Sequence, residues 1–127
     1  MCGDYNCLFV KIALIQTDLA WEKVSDNLSQ ISVLLDSLDP DTDMVLLPEM
    51  FATGFSMQPE LLNLFGSQQA LDWLIEKAQR HQAAFVGSIA VAEGGRFYNR
   101  LYFVFPDGAF RYYDKRHLFA LAGEDKI

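Results

Sequence analysis

Cysteine and positive charge are what this sequence has least of. Cys2 and Cys7 are the two cysteines in 127 residues, and both precede the first expected strand. Their spacing fits no common zinc pattern, so neither a metal site nor a disulfide framework is expected. As nucleophiles they are badly placed, because a reactive thiol needs a neighbouring base at a strand-end turn. Ten Lys and Arg stand against seventeen Asp and Glu, a net charge of −7. That balance offers phosphate no basic face and argues against a nucleic-acid partner. No apolar run approaches the ~18 residues of a membrane span, and no signal-peptide pattern precedes Lys11. The expectation is a cytoplasmic enzyme or binding protein that acts on a small molecule, away from membranes, and needs no cofactor and no metal.

What is present is a globular composition, 51% hydrophobic and 21% charged, without repeats, linkers or low-complexity segments. "FVKIALIQ" (Phe9–Gln16) reads as a buried strand. Apolar residues then recur at Trp21, Val24, Leu28, Ile31, Leu35 and Leu38 with a helical period, which Asp39-Pro40-Asp41 ends. "MVLL" (Met44–Leu47) is a second buried strand. An irregular stretch follows from Pro48 to about Ser67, with room for one short helix near Glu60–Phe65. Gln68–His81 is an amphipathic helix with Leu71, Leu74, Ile75 and Ala78 inward. "AAFVGSIAV" (Ala83–Val91) is a third strand and "FYNRLYFVF" (Phe97–Phe105) a fourth, joined by a hairpin turn at Glu93-Gly94-Gly95-Arg96. Pro106-Asp107-Gly108 turns into a fifth strand, Ala109–Tyr113. Helical crossovers imply parallel neighbours early, and tight turns imply antiparallel ones later, so the fold class is α/β with a mixed sheet. The order of elements describes one domain over residues 1–127, or part of one. "HLFALAGEDKI" ends it without a closing element.

Chemistry-bearing residues collect at two strand ends. In "VLLPEMF" (Val45–Phe51) a greasy strand stops at Pro48 and Glu49 follows at once. Strand-end loops host sites in open α/β sheets, and an apolar wall from Met50, Phe51 and Phe55 would desolvate the carboxylate, which favours proton transfer. On spacing alone, a loop glutamate capping the next turn remains the stronger reading. In "YYDKRHLF" (Tyr112–Phe119) a second cluster follows a strand. Lys115 there is either a solvated charge or a group able to steady a developing oxyanion. His117, flanked by apolar residues, reads first as a structural hydrogen-bonder. Glu93-Gly94-Gly95-Arg96 lacks a Walker lysine and opens no helix, so it is a turn and not a phosphate loop. Trp73 reads as core packing. Asn99 and Arg100 sit inside a strand, Asn99 with a structural hydrogen bond to a neighbouring loop.

Taken together, "VLLPEMFATGF" and "YYDKRHLF" resemble the N-terminal part of the nitrilase superfamily, the carbon–nitrogen hydrolases, and in particular the omega-amidase branch, which acts on 2-oxo acid amides. "KIALIQTDLAWEKVSDNL", "GSIAV" and "FYNRLYFVFPDG" fall in family order between and around those motifs. The resemblance implies a four-layer α-β-β-α sandwich, of which this chain would supply about half, and a tendency to homo-oligomers. It also implies a Glu-Lys-Cys mechanism. Glu49 matches the general base and Lys115 the residue that stabilises the tetrahedral intermediate. Glu124 matches an auxiliary glutamate, and Phe55 would line the substrate pocket. The family's cysteine follows the lysine motif, and no cysteine follows Lys115 here. The chain therefore reads as truncated on its C-terminal side and inactive by itself. Two rivals stand beside this reading. One is a non-catalytic α/β module that associates through an unfinished sheet, with the strands Ala83–Val91 and Phe97–Phe105 as bare patches. The other is a different nitrilase-family amidase or carbamoylase.

Overall fold

The computed structural model describes residues 9–54 and 64–116. Seven elements follow one another: β1 (Ile12–Leu14), α1 (Val24–Leu35), β2 (Met44–Leu46), α2 (Leu64–His81), β3 (Ala84–Glu93), β4 (Arg96–Val104) and β5 (Phe110–Asp114). The five strands form one sheet in chain order. β1, β2 and β3 are parallel, each step crossing over through a helix, while β3, β4 and β5 are antiparallel. This is the mixed α/β sheet expected from the order of helices and turns.

The β3–β4 hairpin is the longest ladder, nine residues from Phe85↔Val104 to Glu93↔Arg96. Its two-residue turn needs positive φ at both central positions to match the twist of the strands. Gly94 and Gly95 supply φ of 57° and 76° without a side-chain penalty.

Both helices pack on one face of the sheet. Leu28, Ile31 and Leu35 of α1, with Ala70, Leu74 and Ala78 of α2, meet Val45, Phe85, Ile89, Tyr102 and Val104 in one buried cluster. Of the stripe expected for α1, Leu28, Ile31 and Leu35 are buried and Val24 is half-buried, while Trp21 lies before the helix and is exposed and Leu38 lies beyond its end. Trp73 packs against the core as expected, and its indole N–H donates to Ser32 Oγ at 3.0 Å. α2 begins at Leu64, ahead of the expected Gln68. The short helix expected near Glu60–Phe65 lies mostly outside the described residues.

Strand alternation places Ile12, Leu14, Leu46, Val86, Leu101 and Tyr113 on the opposite face, away from the helices. Two expectations change here. β1 is three residues long, not eight, and it is not buried: Leu14 is 74% exposed and Ile12 50%. Among the described residues it is one of the sheet's two edge strands, paired with β2 on one side. The bare patch is also not on β3, whose open-face residues Ala84, Ser88 and Ala90 are small and buried between neighbouring strands. Exposure falls instead on β1 and on Leu101, Phe105, Phe110, Tyr112 and Tyr113 of and around β4 and β5.

Candidate functional site

The chain turns sharply after β2. Met50 has φ of 54°, unusual for a residue with a side chain. Its N–H donates to Ser88 Oγ on β3 at 2.8 Å, and its carbonyl accepts the N–H groups of Thr53 and Gly54. The buried Asn27 of α1 fastens the far end of the same turn, donating to the Ala52 carbonyl at 2.8 Å and to the Ala20 carbonyl at 2.7 Å. Phe51 fits beneath β3 only because residue 87 is glycine. A Cβ there would stand 2.8 Å from the Phe51 ring.

With its neighbours fixed in this way, Glu49 projects over the open end of the sheet. Lys115, just past β5, brings its Nζ to 3.3 Å from Glu49 Oε1. Asn99 of β4 donates from Nδ2 to the same oxygen at 2.8 Å. The Asn99 carbonyl also accepts the Lys115 backbone N–H at 3.0 Å. Asn99 thus touches both charged residues, one through its side chain and one through its backbone. The three groups line a cleft of about 390 Å³, walled by Leu46, Leu47, Val86, Leu101 and Tyr113 and floored by Gly87 and Ser88.

The wall expected from Met50 and Phe51 is not there. Phe51 is fully buried on the helix side, its ring 5.7 Å from that of Trp73, and Met50 is buried without lining the cleft. One residue of turn sends each side chain away from Glu49, so the apolar walls come from the strands instead. Nor are the described surroundings of the carboxylate dry: the Glu49 side chain is 57% exposed and that of Lys115 34%. Phe55, His117 and Glu124 lie outside the described residues. Among the described residues no group of three or more His, Cys, Asp or Glu is placed to hold a metal ion.

Sequence reasoning gave Asn99 a structural hydrogen bond to a neighbouring loop and left it out of the site. The loop it reaches is the one that carries Glu49. Its position opposite Ala90, on the open face, follows from strand pairing, which a single strand does not display. Next to it, on the other face, the Arg100 guanidinium is held by Asp114 and Glu93. Those carboxylates, Asp114 foremost, keep its proton bound more firmly than usual, against the opposing effect of burial.

Chemically, the cleft offers a carboxylate with one oxygen engaged by two donors, an ammonium beside it and apolar walls. Such a set can accept a proton at the second carboxylate oxygen and meet a developing negative charge with the ammonium.

The profile of the carbon-nitrogen hydrolase family matches residues 11–126. An omega-amidase, YafV, of Yersinia enterocolitica is 39% identical over 115 residues, covering 91% of this chain and 44% of its own length. A 2-oxoglutaramate amidase of Bacillus subtilis is 31% identical over 117 residues, covering 89% of this chain and 45% of its own. Among solved structures, a CN-hydrolase superfamily protein of Xanthomonas campestris, with an arsenic adduct in its active site, superposes with a TM-score of 0.83 at 35% identity. That match covers 92% of this chain and 44% of the other. The chain spans less than half the length of these relatives. With the family profile covering nearly all of it, and the nitrilase fold matched, the chain belongs to the carbon-nitrogen hydrolase family.

Proposed function

We propose that Glu49 and Lys115 are the general base and the oxyanion-stabilising cation of a Glu-Lys-Cys amidase of the omega-amidase type, in which the cysteine lies beyond these 127 residues. The observation that carries this reading is the contact of Lys115 Nζ with Glu49 at the mouth of the cleft. Glu49 takes the thiol proton. The thiolate attacks the amide carbon, and Lys115 meets the charge that forms on the carbonyl oxygen. Glu49 passes that proton to the leaving nitrogen as the C–N bond breaks, ammonia departs from the acyl-enzyme, and Glu49, a carboxylate again, activates the water that releases the acid and the thiol. Glu124 is the auxiliary glutamate of this scheme, and Phe55 lines the acyl pocket. The substrate class is a small 2-oxo acid amide, in keeping with the omega-amidase and 2-oxoglutaramate amidase relatives. The setting is the cytoplasm, with the full-length enzyme a homo-oligomer; among the described residues no helix is long and apolar enough to cross a membrane.

The test is ammonia release from 2-oxoglutaramate. The full-length protein releases it, and Glu49→Gln slows the reaction by about 10²–10⁴, the usual contribution of a positioned general base. Residues 1–127 alone release none. Unchanged turnover in Glu49→Gln would overturn the reading. The exposed apolar residues of β1, β4 and β5 favour one other reading, a non-catalytic module that pairs through its sheet. It is the outcome if the full-length protein hydrolyses no amide and residues 1–127 form a defined complex.

A further inference from the structure

Arg100 is a buried cation outside the cleft. Its side chain is 6% exposed, and it points to the sheet face opposite Asn99. Its Nε and Nη2 donate to the two carboxylate oxygens of Asp114 at 2.7 and 3.1 Å, and Nη2 also donates to Glu93 at 2.7 Å. The guanidinium carbon lies 4.1 Å from the ring centre of Tyr112 and 5.4 Å from that of Tyr98. Two carboxylates, a two-pronged fork and two aromatic faces are much interaction for a group with no contact to the cleft.

Its place in the ladder explains what the cluster does. Arg100↔Asp114 is the terminal pair of β4 with β5. One residue further on, the Lys115 N–H donates to the Asn99 carbonyl. The residues adjoining the clamp, Asn99 and Lys115, are the two that donate to Glu49 among the described residues. A ladder end frays unless something ties it, and here the tie lies one peptide from each of the cleft's two donors.

We propose that Arg100 is a positioning residue: by locking Asp114 to β4, it holds Asn99 and Lys115 at the separation at which both reach one oxygen of Glu49. It acts through them and touches no substrate. The guanidinium is needed and not merely a charge, because a lysine cannot fork across one carboxylate while reaching a second and stacking on two rings.

The proposal rests on the amidase reading for its kinetic consequence but not for its geometry, so two readouts are taken on the full-length protein. The first is amide hydrogen exchange. In Arg100→Lys, the Lys115 amide exchanges at least tenfold faster, while the Leu47 and Ala84 amides, at the two ends of the β2–β3 pairing, keep their wild-type rates. The second is steady-state kinetics, in which kcat falls at least tenfold with KM unchanged. Asp114→Asn, which keeps the shape and weakens the fork, gives the same pattern and decides the matter if Arg100→Lys does not fold. Wild-type exchange at Lys115 overturns the proposal. So does an equal rise at all three amides, which marks general loosening, or a kcat that stays at wild type while the Lys115 amide loosens. If the protein hydrolyses no amide at all, the amidase reading fails, and the exchange pattern still decides whether Arg100 positions Lys115.

Discussion

Lys115 and Glu49 are 66 residues apart in the chain and 3.3 Å apart in the structure. Two strands, β3 and β4, lie between the strand ends from which they reach. The long-range pairing of the sheet therefore fixes their meeting, and each residue that fixes that pairing bears on it.

Asn99 is the side chain that holds Glu49 from within the sheet. Asn99→Ala in the full-length protein removes the 2.8 Å donor and leaves Lys115 as the one donor to Glu49 among the described residues. A small misplacement of a reacting group costs up to about a hundredfold. The expected result in steady-state kinetics is a tenfold to hundredfold fall in kcat with KM little changed, roughly in that range.

Gly87 gives Phe51 its seat. Gly87→Ala puts a methyl group 2.8 Å from the ring, and Leu47 Cδ1, at 3.2 Å, closes the other side. Overpacking of this kind costs about 1–3 kcal/mol, which urea denaturation measures as a lowered midpoint with an unchanged slope.

Ser88 satisfies a buried donor. Ser88→Ala leaves the Met50 N–H without its acceptor, at a cost of about 1–3 kcal/mol. Met50 holds its left-handed backbone against the ordinary preference of a side-chain-bearing residue, so the turn relaxes and Glu49 moves with it. The expected outcome is a lowered urea midpoint together with loss of the proposed amidase activity. Ser88→Thr, which keeps the hydroxyl, retains more of both.

His81 closes α2 half-buried, its ring 5.9 Å from that of Phe85. Burial, with Lys77 and Arg80 nearby, holds its pKa below the ordinary 6.5. The unfolded chain therefore takes up the proton before the folded one does. The neutral ring costs the fold nothing above pH 6.5, and stability is lost as pH falls from 6.5 towards the lower folded value. His81→Gln removes this component, so its urea midpoint falls less steeply with acid in that window and runs parallel to wild type above it.

The parts of this fold that could be read from sequence were those set by local pattern. The period through Leu28, Ile31 and Leu35 located α1 because those side chains face one sheet, and Gly94-Gly95 marked the hairpin because both positions need positive φ. What was misread depended on partners far along the chain. β1 looked buried because Ile12 and Leu14 are greasy, yet strand order puts them on an edge and an open face. Phe51 looked like a wall for Glu49, but the φ of Met50 turns it under Gly87. The pairing of Glu49 with Lys115 could be anticipated only through two motifs matched in order to a family. Asn99 and Arg100, consecutive and unremarkable in a strand, take opposite tasks once the sheet assigns each a face.

The Gly94-Gly95 turn sets how far β4 has travelled when it passes β3, and so which of its side chains looks up and which looks down. Lengthening the turn by one residue would leave composition, charge and hydrophobicity almost unchanged. It would nevertheless turn Arg100 towards the cleft and Asn99 towards the helices, exchanging the two along with every other residue of the strand. A gene-level insertion at this exposed bend, where loops ordinarily tolerate one, is for that reason expected to be more damaging than most substitutions inside the core.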